Sequence, residues 1–266
     1  MDVAVNTPVS EKTTRLIRNE IVDQVARITL DNPPHNVLTI GMMQQMAEVI
    51  EGLNGHPEVK AILLTSSQPT FSAGISLEDS KPERVFQTLE AFSNVYRAVF
   101  EISKPFIIVV NGPAIGAGCE LVAFGDMVIA TPRAKFLQPE LKLGVFPPFA
   151  AVMLPQLIGP KKTFELILTG DALSAEDALR LGFVNRIFPE AELEHGVASV
   201  LRRISEFSGP VLEISKRVIH ESMNLPTRDA LKHSHDIYLN ELMNLQDSQE
   251  GLRAVIEKRK PVWKNR

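Results

Sequence analysis

The sequence predicts an α/β fold with a mainly parallel sheet, on three observations. Short unbroken apolar runs alternate with amphipathic helical stretches, glycine-rich turns follow two of those runs, and the end of the chain is helical in pattern. The first strand signal is Gln24 to Leu30, which alternates as a half-buried strand until Asp31-Asn32-Pro33-Pro34-His35-Asn36 stops it. From Thr39 to Leu53, Met42, Met43, Met46, Val49, Ile50 and Leu53 recur at helical spacing, and Gly55 with Pro57 closes the segment. Ala61 to Thr65 and Phe106 to Val110 are continuous apolar runs, as in strands covered on both faces, and Glu83 to Ile102 is the helix between them. That order implies right-handed parallel crossovers. A short helix around Cys119 to Phe124 and a strand over Asp126 to Ala130 follow. Ser174 to Gly182 carries its own limits: a capping serine, acids in the first turn and a glycine just past the end. Ala191 to Glu257 reads as three or four helices, broken at Gly209-Pro210 and at Pro226.

The expected organisation is a core over residues 13–200, a helical part over 201–266 and a flexible tail over 1–12. A hydrophobic fraction of 44% in 266 residues is enough for one full core. The net charge of −4 offers no field that would draw nucleic acid or anionic lipid, so neither is an expected partner. No window reaches the roughly 20 apolar residues of a membrane span, and the start lacks the pattern of a signal peptide. Cys119 has no cysteine partner, which suits a reducing compartment, and the cytoplasm is the expected location. The histidines and Cys119 show no metal-ligand spacing, so no metal is expected.

The densest chemical signal is Asn111-Gly112-Pro113-Ala114-Ile115-Gly116-Ala117-Gly118-Cys119-Glu120-Leu121. A buried strand runs through glycines into a helix, which leaves free N–H groups facing a spot without bulky side chains. A second such turn is Phe71-Ser72-Ala73-Gly74-Ile75-Ser76-Leu77. Each turn alone is equally well a tight connection; together they could aim two donors at one oxygen, each contributing roughly 2.7–4 kcal/mol if that oxygen gains charge in a transition state. Glu120 stands on an otherwise apolar helix, and Glu140 follows a short strand beside an apolar stretch. Alone, Glu120 reads as a glutamate bonded to a neighbouring loop and Glu140 as a helix-start acid; in one pocket, their pKa values would move apart and let one give a proton while the other takes one. The spacing of Gly112, Gly116 and Gly118 does not fit the dinucleotide pattern G-x-G-x-x-G.

The two turns and the two glutamates, with Ala134-Lys135-Phe136-Leu137-Gln138-Pro139-Glu140, Leu168-Thr169-Gly170, Ala178 to Asn185 and Glu257-Lys258-Arg259-Lys260-Pro261, make the chain resemble the enoyl-CoA hydratase/isomerase (crotonase) family from Asn32 onward. The resemblance implies a crotonase-like spiral of ββα units with a C-terminal α-helical trimerisation part, assembled as a homotrimer or homohexamer. It implies an acyl-CoA thioester substrate, with coenzyme A entering as part of the substrate and no separate cofactor. It places the thioester oxygen between the N–H groups of Ile75 and Ala117, makes Glu120 and Glu140 the catalytic pair that adds water across the conjugated double bond, and sets Ala73, Leu77, Lys258 and Lys260 against coenzyme A. Ser76, Phe146, Pro148 and Phe149 would border the acyl group. The chain departs from the family pattern at Ser76, where many members carry aspartate, and at Pro147-Pro148-Phe149-Ala150-Ala151, which replaces Pro-Gly-Ala-Gly-Gly. Prolines lack an N–H and Phe149 is large, so donors and space near the acyl group are expected to differ. The run Gly144 to Ala150 is similar to hydratases of cyclic dienoyl-CoA thioesters. The alternatives are a double-bond isomerase of the same family and a non-catalytic binding protein using the basic pairs at Arg202-Arg203 and Lys258-Arg259-Lys260, which read better as solvated helix faces.

Overall fold

The structure, a computed structural model, describes residues 16–265; the tail expected over 1–12 lies outside them. The chain opens with β1 (Ile17–Val22), which turns back through Asp23 and Gln24, both at positive φ, into β2 (Val25–Leu30). Helix α1 (Ile40–Gly52) starts at Thr39, whose hydroxyl accepts the Met42 N–H, and it buries Met42, Met43, Met46 and Ile50. Then come β3 (Ala61–Ser66), α2 (Val85–Glu101), β4 (Phe106–Val110), β5 (Ala114–Ile115), α3 (Ala117–Val122), β6 (Met127–Ala130) and β7 (Lys135–Leu137). After a 3-10 turn over Glu140–Leu143 follow α4 (Pro148–Leu157), α5 (Pro160–Thr169), β8 (Leu173–Ser174), α6 (Ala175–Leu181) and β9 (Arg186–Ile187). Helix α6 has the limits written in its sequence: Ser174 accepts the Asp177 N–H and Gly182 closes it in the left-handed conformation. Four helices complete the chain: α7 (Leu193–Ser205), α8 (Gly209–Ser222), α9 (Thr227–Asn240) and α10 (Gln246–Ile256).

The large sheet has the order β1-β2-β3-β4-β6-β9, parallel throughout except for β1 against β2. Side-chain alternation divides its apolar residues between two cores. Ile28, Ile62, Leu64, Phe106 and Ile108 face the larger one, with α1 and α2. Val25, Ala61, Leu63, Ile107, Val109 and Ile129 face the other, which Val197, Val200 and Leu201 of α7 cover. The division expected between residues 200 and 201 lies within α7 (Leu193–Ser205).

Helix α8 is fastened to the edge where the parallel strands begin. Lys216, 7% exposed, reaches Asp126 at 2.9 Å and the carbonyls of Val99 and Lys104, while His220 Nε2 lies 2.7 Å from the other Asp126 oxygen. His220 is thus a partly buried hydrogen-bond partner of Asp126. The chain's end is tied to the same edge. Buried Asp247 accepts the Lys264 and Asn265 N–H groups, Trp263 donates to the Glu206 carbonyl, and Lys60, just before β3, donates to the Ser205 carbonyl.

Candidate active site

The site is assembled at the opposite edge, by a second small sheet of order β5-β7-β8. Its neighbours extend it: Ser72 bridges Ala114, Leu38 bridges Ile75, Ile115 donates to the Ser72 carbonyl at 2.9 Å, and Gly116 donates to Leu137 at 2.8 Å. Segments that follow β2, β3, β4 and β6 are thus laid side by side, which brings Ile75, Ala117 and Glu140 to one end of them. Asn36 holds this junction from beneath. Fully buried, it donates to Ser66 Oγ and to the Phe71 carbonyl, and its Oδ1 accepts the Asn32 N–H.

Two glycines make the approach possible. Gly74, at φ 86°, lies so close to the next segment that a Cβ there would sit 2.8 Å from the Ile115 carbonyl oxygen and 3.5 Å from the Ala117 nitrogen. Gly116, at φ 54°, presents a bare Cα to Glu140, whose Oε1 would be 2.4 Å from any Cβ. Among the described residues, neither the Ile75 nor the Ala117 N–H meets a backbone acceptor. Both are therefore available to one oxygen placed between the turns. Ala73 donates to the His35 carbonyl, Ser76 donates to Leu38, and Leu77 is exposed at the rim.

Glu120 is 3% exposed and points at the start of α4, where its Oε1 accepts the N–H groups of Phe149 and Ala150 at 3.0 and 2.9 Å. The proline run does not remove donors from this spot, as its composition implied. Pro148 is the first residue of α4, where an N–H is dispensable, and the next two residues supply the bonds. Burial pushes the Glu120 carboxyl up to about 7 against these bonds, and the charge of Glu140 adds to the rise. Burial also raises Glu140, against a bond from its own N–H. Gln138, fully buried, satisfies both ends of its amide when the nitrogen faces Glu140, and it then donates to both carboxylate oxygens at 3.1 and 3.2 Å. Its place before Pro139-Glu140 was visible in the sequence, but its role depends on the direction in which β7 ends. Cys119 between these groups is fully buried; burial and the two acids push its thiol up, so it remains protonated and is no nucleophile.

The Phe149 ring packs in a cluster with Phe92, Phe124 and Tyr96. Phe146 is 65% exposed and lies outside that cluster. Lys258 and Lys260 are exposed on the segment whose continuation is tied beside Lys60. Arg259 between them is engaged by Glu250 and Glu257.

A buried and a partly buried acid thus stand beside a pair of open N–H donors, and the model of the enoyl-CoA hydratase/isomerase family matches residues 20–266. The chain belongs to the enoyl-CoA hydratase/isomerase family. It is 33% identical over 249 residues to the enoyl-CoA hydratase domain-containing protein 3, mitochondrial, of Danio rerio, covering 91% of this chain and 85% of that one. It is 30% identical over 244 residues to the cyclohexa-1,5-dienecarbonyl-CoA hydratase of Thauera aromatica, covering 90% and 93%. The crystal structure of human enoyl coenzyme A hydratase domain-containing protein 3 superposes with a TM-score of 0.90 at 29% identity, over 94% of this chain and all of that one. The fold is therefore the crotonase fold, with helices at its C-terminal end, and the family acts on acyl-CoA thioesters. No helix among the described residues is long and apolar enough to cross a membrane.

Proposed function

We propose that the chain is a hydro-lyase that adds water to, or removes it from, a double bond conjugated to a coenzyme A thioester. The observation that carries the reading is the convergence of buried Glu120 and partly buried Glu140, both raised, on the turns that present the Ile75 and Ala117 N–H groups. With the thioester oxygen between those donors, the β-carbon stands before the two carboxyls. One carboxylate takes a proton from water as its oxygen bonds to the β-carbon; the electron pair of the double bond moves toward the thioester, whose oxygen gains charge against the two N–H groups; the second carboxyl then protonates the α-carbon. Two carboxyls that burial pushes above their ordinary range, Glu120 up to about 7, can hold one proton between them, which this exchange requires. Similarity to the Thauera aromatica hydratase, together with the Phe149 segment, supports a cyclic dienoyl thioester as a candidate substrate. Cytoplasmic location and association of copies as a trimer or hexamer belong to the same proposal.

Ultraviolet absorbance of linear and cyclic enoyl-CoA thioesters tests it. The wild-type protein should consume the conjugated chromophore, and Glu120→Gln and Glu140→Gln should each lose roughly 10²–10⁴-fold in rate. Migration of the double bond without uptake of water would make the chain an isomerase, and equal rates for all three proteins would end the reading.

A further inference from the structure

Phe149 is fixed from two sides. Its N–H donates to Glu120 Oε1 at 3.0 Å, and its ring stands edge-on to Phe92 at 4.9 Å, with Phe124 at 5.7 Å and Tyr96 at 6.2 Å. Phe124 follows Glu120 by one helical turn, and α2 contributes Phe92 and Tyr96, also one turn apart. Phe92 and Phe124 are buried, and Tyr96 and Phe149 partly so. Rings from three segments therefore pack together around the residue whose N–H holds the Glu120 carboxyl.

We infer that Phe149 is the specificity-determining residue that closes the acyl end of the site, so that the thioesters accepted carry short or compact acyl groups and long unbranched chains are refused. The inference rests on the hydratase reading, because that reading puts the β-carbon between the carboxyls. Carbons beyond it then run past Glu120 toward the Phe149 ring. A packed aromatic wall does not yield to added methylenes without moving its neighbours. A six-membered ring folds its carbons back toward the β-carbon and reaches less far than an open chain of equal carbon number.

The test is a series of 2-enoyl-CoA thioesters of four, six, eight and ten carbons, with kcat/KM measured for the wild type, Phe149→Ala and Phe149→Leu. All three proteins keep the backbone N–H that holds Glu120. The ten-carbon to four-carbon ratio should be low in the wild type and rise roughly tenfold or more in Phe149→Ala, with Phe149→Leu between them. Equal use of both lengths by the wild type, or a ratio unchanged in the variants, overturns the inference. Should Phe149→Ala fail to fold, Phe149→Leu and Tyr96→Ala, from the opposite wall, carry the same comparison. Calorimetric binding of butyryl- and decanoyl-CoA separates the two readings. If no thioester is hydrated, the hydratase reading fails, and the length limit still stands or falls on whether the variants bind decanoyl-CoA relatively better than the wild type does.

Discussion

In the proposed reaction Glu120 is an acid as well as a structural anchor, and the two roles pull its charge in opposite directions. Bonds from the first turn of α4 favour the carboxylate, while burial favours the neutral acid, and burial prevails. The rise from an ordinary value near 4.5 to about 7 corresponds to roughly 3 kcal/mol. Between those pH values the folded chain holds a proton that the unfolded chain has lost, so Glu120 makes stability fall as pH rises through this window. Glu120→Gln keeps an oxygen for the Phe149 and Ala150 N–H groups but has no such dependence. Its stability relative to wild type should therefore increase from about pH 4.5 to above 7, as read from urea unfolding at each pH. A difference that stays flat across this range would contradict the assignment. At this scale the sequence was legible where a charged residue stood in apolar company, as Glu120 does. It was mute on Asn36 and Gln138, because an amide announces nothing until its partners are in place.

Elements long enough to show a period were read within a few residues, as the α1 methionines and the α6 serine and glycine illustrate. Strand β1 escaped because only Ile17 of its six residues is buried, which leaves no alternation to detect. The two-residue strands β5, β8 and β9 escaped for a different reason: their pairing is imposed by neighbours distant in sequence. Helix α7 is the instructive case, since its apolar face was assigned partly to an outlying helical unit although it seals one side of the sheet. Leu201, 4% exposed, tests the point. Leu201→Ala should destabilise by about 2–5 kcal/mol, a cost typical of a core leucine, and chemical denaturation should show one cooperative transition. A loss within ~0.5 kcal/mol, the range of surface positions, would return α7 to the periphery.

For the whole molecule, the C-terminal helices leave Ile219, Met223, Leu239, Val255 and Ile256 each more than half exposed, an apolar surface unusual for a chain that works alone. Sedimentation velocity at micromolar concentration should give the mass of three or six chains, and a single-chain mass would remove association from the proposal. At the other edge, the two open amides owe their aim largely to main-chain pairing: Leu38 with Ile75, Ser72 with Ala114, and Gly116 with Leu137. In the proposed reaction the grip on a carbonyl is thus the constant half of the machine, and the acids and the aromatic wall are its exchangeable half. A variant stripped of both glutamates would still be a vacant holder for the same ester, ready for an engineer to furnish with a different reagent.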